Sequence, residues 1–237
     1  MTGYALMSKI RIAIAAISAG VLGVSLAAAA PLQVALVENV TGTPAGVGLM
    51  DYLEAGKIIA LGPREGIILS YMNSCVRETI TGGTITIGTD QSEAQGGKIV
   101  RTKVPCDAGK MVLTSAYSAQ FGGRIFRSAP LANGASHNAN PQITLYGRSP
   151  IVEVKAPGTL VIERIDQANE RYQVEVASDQ LLHGRFYDFA KSGRNLAPGG
   201  IYRMNGGGQE IVFKVDPTAK AGSTPIMGRL LRLGTQS

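Results

Sequence analysis

The chain of 237 residues has no tryptophan, only two histidines and only two cysteines, and aromatic residues make up 5% of it. Each scarcity removes a class of function. Two cysteines without a C-x-x-C spacing are too few ligands for a cysteine-built zinc site and lack the spacing of a redox dithiol. Few aromatics, with cations scattered rather than clustered, leave nucleic-acid binding without stacking platforms or a basic stripe. No G-x-S-x-G elbow is present, no G-x-x-x-x-G-K-[ST] phosphate loop and no EF-hand spacing. Beyond residue 30 no segment is long and apolar enough to span a membrane, and no internal repeat joins the two halves.

What is present starts with the first thirty residues. Met1 to Arg11 carries Lys9 and Arg11 and no acid, Ile12 to Leu26 is apolar or small, and Ala27 to Ala30 precede Pro31. That is the layout of a secretory signal peptide, residues 1–29, with cleavage after Ala29 and Ala27 as the second small residue. Met7 to Ala29 is a complete signal by itself. An uncleaved anchor is the rival reading, but a spanning helix needs about 20 apolar residues, and this core is shorter. The expected location is the periplasm or the medium. Cleavage removes two cations and no acid, so the formal charge of +6 becomes +4. A mildly basic domain of this kind carries ordinary solubility charge, with some attraction for acidic partners.

Cys75 and Cys106 form an even pair in a compartment that oxidises thiols, so one disulfide is expected. Closing that loop restricts the unfolded chain and stabilises the fold by about 3–4 kcal/mol.

The mature chain reads as all-β, with short apolar or alternating runs between Gly, Pro, Asn and Asp. Strands are expected at Gln33–Val37, Lys57–Leu61, Gly66–Tyr71, Thr84–Gly88 and Val112–Thr114. Gly62-Pro63-Arg64-Glu65 is expected to turn between the second and third of these. Gly82-Gly83 and Gly96-Gly97 suit corners that need positive φ. Further strands are expected at Gln142–Tyr146, Ile151–Lys155, Thr159–Glu163, Tyr172–Val176, Glu210–Val215 and Arg229–Leu233. Gly206-Gly207-Gly208 makes a hairpin turn, and Asp216–Lys220 a short helical turn. Ser128–Pro141 is polar, small and aperiodic, and is expected to link two domains, 30–127 and 142–237.

Leu196-Ala197-Pro198-Gly199-Gly200-Ile201-Tyr202 is the most specific local motif. It resembles the L-x-P-G-x-x-Y corner of immunoglobulin-like and fibronectin type III sandwiches, where the tyrosine bonds back to the corner backbone. With Tyr172-Gln173-Val174-Glu175-Val176-Ala177 before it, the second half is similar to the sandwich that follows FecR-like domains in bacterial envelope proteins. The glycine-bounded strands of the first half resemble such a FecR-like β-domain. The usual core tryptophans are missing, which leaves Phe186, Tyr187, Phe189 and Phe213 as the aromatic core. The resemblance implies an extracytoplasmic, non-enzymatic module in which Leu196, Pro198, Gly199 and Tyr202 shape the corner. It transfers no catalytic residue.

The remaining chemistry-bearing residues have loose spacings. Ser136 adjoins His137, but a triad needs a histidine held between nucleophile and carboxylate. His183 with Asp179 or Asp188 has no metal-ligand spacing, and a turn histidine is the simpler reading. Asp90, Glu93 and Asp107 read as solvated loop acids rather than calcium ligands. Glu163, Asp166 and Glu175 are the nearest group to the carboxylate pair of a glycan hydrolase. No catalytic, cofactor or metal residue is therefore assigned. The expected function is an exported envelope protein that binds peptidoglycan or another envelope protein, through surface complementarity or strand addition at a sheet edge. An exported envelope-glycan hydrolase and a structural subunit of a surface assembly are the alternatives.

Overall fold

The computed structural model describes residues 32–108, 110, 140–223 and 225–233. The signal segment, the strand expected at Val112–Thr114, Ser136, His137 and all but the last two residues of the linker lie outside them. The described chain is all-β, in three sheets, the first built from the first half and the other two from strands that interleave along the second half.

The first sheet contains β1 (Gln33–Thr41), β2 (Tyr52–Glu54), β3 (Ile58–Tyr71), β4 (Val76–Ile87), β5 (Ser92–Gln95) and β6 (Lys98–Lys103). Its order is β2-β1-β3-β4, and β4 pairs β6 with its first half and β5 with its second. The expected strands Lys57–Leu61 and Gly66–Tyr71 are one long strand, β3. Gly62–Glu65 bulges out of it where the register with β4 jumps from Leu61↔Gly83 to Gly66↔Thr81. An excursion of even length leaves the alternation in phase, so Ile59, Leu61, Ile67, Leu69 and Tyr71 all point inward. In β4 the phase does shift. Glu78 and Ile80 are buried on even positions, Ile85 and Ile87 on odd ones. The extra residue is absorbed by Gly82 and Gly83, at φ +62° and +83°. A Cβ on Gly83 would also stand 2.6 Å from the Gln95 carbonyl oxygen, so this corner requires glycine. Bent there, the sheet closes over its own core of Val34, Val37, Leu53, Ile59, Ile67, Leu69, Ile80 and Ile85, aliphatic apart from Tyr71.

Two further sheets face each other across a second core. One runs β10 (Arg171–Val176), β9 (Gly158–Arg164), β13 (Ile201–Gly206), β14 (Gln209–Lys220), β7 (Ile143–Gly147). The other runs β11 (Leu181–Leu182), β12 (Phe186–Asp188), β8 (Ile151–Glu153), β15 (Leu230–Arg232). Two pairings are parallel, β14 with β7 and β15 with β8. The alternation expected from the sequence places Leu160, Ile162, Val174, Val176, Tyr202, Met204, Phe213 and Val215 in the core with Phe186 and Phe189. Tyr202 stacks on Phe213 at 5.7 Å between ring centres. The helical turn expected at Asp216–Lys220 is absent, because these residues continue β14. Asp216 accepts the Thr218 N–H at 2.7 Å, a local turn bond made without leaving the extended backbone.

Cys75 and Cys106 are joined in a disulfide with their Cα atoms 5.7 Å apart. It ties the β3–β4 turn to the segment that follows β6. The second core also takes in Leu36, Met50 and Met72 from the first half, so the two halves share packing.

Candidate functional site

Three groups of side chains have the chemistry to act, and their geometry separates structural roles from binding roles. The first is the joint between the halves. Glu38 is the extra residue of a bulge in β1, between the register pairs Val37↔Leu69 and Asn39↔Ile68. Its carboxylate is buried and accepts Ser70 Oγ (2.8 Å), Arg77 Nε (2.7 Å) and the N–H groups of Ile226 (2.8 Å) and Met227 (3.2 Å). Glu153 accepts Tyr52 OH and Arg232 Nε, both at 2.8 Å. Burial pushes the Tyr52 hydroxyl well above the usual phenol range, so it stays a donor to Glu153. Asp188 holds the buried Arg229 guanidinium at 2.9 Å. Asp107 accepts the Thr144 N–H at 2.9 Å and so links the end of the first half to β7. Glu38, Glu153 and Asp107 carry neighbours across the joint, whereas Asp188 and Arg229 pair within the second half, and nothing in the sequence context of Glu38, Glu153 and Asp188 marks them for burial.

The second group surrounds the Pro-Gly corner. Tyr202 OH accepts the Ala197 N–H at 2.8 Å and donates to Glu170 at 2.7 Å. That backbone bond is the one the motif demands. Leu196 is buried beneath the corner, and Gly199 sits at φ +78° after Pro198. Arg164 spans Asp166 (2.9 Å) and Glu170 (3.1 Å) and lies over the Tyr202 ring. Desolvation alone would raise the Glu170 carboxyl, but hydrogen bonds from Tyr202, Arg164 and Tyr172 outweigh it and hold the group below its ordinary range. Asp166 is lowered chiefly by its Arg164 hydrogen bonds. The cluster fixes the corner and leaves no acid poised to donate a proton.

The acids expected as a hydrolase pair do not converge. Glu163 stands opposite Arg171, and Glu175 opposite Thr159, at the other end of the same ladder. Four residues of strand separate the two positions by about 13 Å, wider than the roughly 6.5–9.5 Å of an inverting pair. His183 lies in the turn between β11 and β12 at φ +49°, and Asp188 faces Arg229, so these two do not share a site. Asp90 accepts Asn73 Nδ2, and Glu93 lies on β5. Among the described residues no three acids, histidines or cysteines gather as metal ligands.

The third group is the outer face of the first sheet. Register places Asn39, Ile68, Thr79 and Val100 in one row across β1, β3, β4 and β6, and Thr41, Gly66, Thr81 and Lys98 in the next. One row nearer the sandwich, Leu36, Ser70 and Arg77 are covered or bonded by it. The face is therefore closed at one end and open at the other. Val100 remains 48% exposed and Ile58, beyond the bend, 66%. A shallow groove of about 120 Å³ crosses it at Gly66, lined by Thr41, Arg64, Ile68, Thr79 and Thr81. The Gly66 position keeps this groove floor flat, since a Cβ there would lie 2.9 Å from the Ile80 carbonyl oxygen. Thr79, Thr81, Thr84 and Thr86 point outward, and of these only Thr84 and Thr86 lie in a strand expected from the sequence. The row that joins Ile68 to Val100 exists only through register.

No protein-family model matches this chain, and no curated protein or solved structure matches it.

Proposed function

We propose that this chain is an exported envelope protein that acts by binding another envelope protein along the open face of its first sheet. The observation that carries the reading is the row Asn39–Ile68–Thr79–Val100, where polar and apolar side chains alternate on the open face of the sheet. Exposed apolar surface rimmed by polar groups is the common mark of a protein contact. Glycan recognition usually adds aromatic platforms. Here every aromatic ring among the described residues is buried or half-buried, which favours a protein over peptidoglycan.

Export is supported by the signal-like segment 1–29 and by the disulfide. The resemblance of the second half to an immunoglobulin-like or fibronectin type III module is supported by its strand order. The runs β8-β12-β11 and β9-β13-β14 are similar to the B-E-D and C-F-G orders of such sandwiches, and the tyrosine opens the strand in the F position. A FecR-like first half is the companion reading. In this picture the sandwich supports the first sheet, and the first sheet meets the partner.

The test is site-specific photocrosslinking of the mature protein in its own envelope, from Val100 on the face and from exposed Gln173 on the sandwich edge. The expected result is a discrete protein adduct from Val100, none from Gln173, and loss of the Val100 adduct in Ile68→Arg. Salt-resistant pelleting with purified sacculi, unchanged in Ile68→Arg, would replace the protein partner with the wall.

A further inference from the structure

We infer that the C-terminal arm, residues 226–233, is an exchangeable element, and that its slot accepts the same arm from a second copy of this chain. The arm reads Ile-Met-Gly-Arg-Leu-Leu-Arg-Leu, apolar and basic with no acid. Ile226 through Leu231 and Leu233 are buried, in a slot walled by both halves of the molecule. Glu38 caps the Ile226 and Met227 N–H groups, Asp188 holds Arg229, and Glu153 holds Arg232. Leu230–Arg232 pairs in parallel with Ile151–Glu153. The slot is acidic where the arm is basic, a complementarity that guides an incoming arm as well as the resident one.

Four observations favour exchange of the arm between copies, although its apolar side chains belong to the sandwich core. The slot's acids keep partners of their own when the arm leaves. Glu38 retains Ser70 and Arg77, Glu153 retains Tyr52, and Asp188 retains the Ala190 N–H. No carboxylate is then stranded without a donor. The arm's main-chain hold is a three-residue parallel ladder, the weaker kind of pairing. Arg229 Nε is also buried without a hydrogen-bond partner, so part of its desolvation cost is not recovered. Finally, Ala221–Ser223, between β14 and the arm, is exposed and free of regular structure.

The occupant follows from the fit. The slot matches this sequence residue by residue, and a second copy carries the same sequence with the same spacing. Two copies exchanging arms form a closed two-fold pair that makes the contacts of the monomer twice, with no new interface required. This inference stands on the sandwich and the slot. It is independent of the binding face on the first sheet.

The experiment mixes ¹⁵N-labelled and ¹³C-labelled mature protein, refolds the mixture at high concentration with the disulfide intact, and separates it by size. The expected result is a dimer fraction that rises with refolding concentration. In that fraction, contacts between Leu230–Arg232 and Ile151–Glu153 join differently labelled chains. A monomer at every concentration overturns the inference, and so does a dimer whose arm contacts are all within one label. Deleting Ala221–Ser223 shortens the reach of the arm to its own slot and is expected to raise the dimer fraction about tenfold, because the intramolecular docking loses its effective concentration. A shortened chain that folds and stays monomeric counts against exchange.

Discussion

The two halves reach the same end, a buried apolar core under β-structure, by different means. The first sheet folds over on itself. It does so with aliphatics, a glycine corner at Gly82-Gly83 and a covalent tie, Cys75–Cys106. The sandwich faces one sheet with another and has phenylalanines and tyrosines to fill the space between them. A single bent sheet encloses less apolar volume than two sheets do, so a cross-link that restricts the unfolded chain adds more to it in proportion. The sandwich instead fastens its ends with polar locks, Tyr202–Glu170 at the corner and Asp188–Arg229 at the arm.

That contrast can be broken at each lock. The largest effect is expected from Asp188→Ala, which leaves the Arg229 guanidinium buried without its counter-charge. The loss is about 3–5 kcal/mol, read as a lowered denaturation midpoint, with amide protection disappearing first in β15 and β8. If protection were lost in β3 and β4 equally early, the halves would form one cooperative unit. Cys75→Ser with Cys106→Ser comes next. Its cost is about 3–4 kcal/mol, from a loop of 31 residues. Protection in β3, β4 and β6 is expected to fall while β9, β13 and β14 hold. Uniform loss across both halves would show that Leu36, Met50 and Met72 couple them tightly.

The smallest effect is a pH signature at the corner. The Glu170 carboxyl is depressed in the folded protein, so the bonds it accepts stabilise fully above its unfolded value, near pH 4. That contribution fades as pH falls through the lower folded value. Glu170→Gln is therefore expected to cost about 0.5 kcal/mol at neutral pH and progressively less as pH falls through the lower folded value. A difference in melting temperature that stays constant across that range would mean the lock is steric rather than ionic.

Much of the strand content was legible because alternation is local. Tyr172–Val176 and Thr84–Ile87 read as half-buried strands on their own, and the Leu196–Tyr202 corner announced its own hydrogen bond. The merged strand β3 was less legible. Gly62-Pro63-Arg64-Glu65 has turn chemistry, and only the parity of its four residues lets the strand continue. Asp216-Pro217-Thr218 carried a turn signal too, satisfied by one side-chain bond within an extended backbone. The open face was not legible: Thr79 and Val100 lie outside every strand expected from the sequence, and the Ile68–Thr79–Val100 row depends on which strands pair.

By itself the sequence determined the class of structure, the disulfide and the tyrosine corner, because each rests on residues close in sequence or on a single pair of matching type. Tertiary structure decided the parallel docking of β15 beside β8, the burial of Glu38, Glu153 and Asp188, and the division of the first sheet into a covered and an open end. Those outcomes turn on contacts between residues far apart in the chain, such as Glu38 with Ile226. Their free energy comes from burying apolar groups, with pairing offsetting the cost of taking the charges out of water, and no local periodicity encodes that.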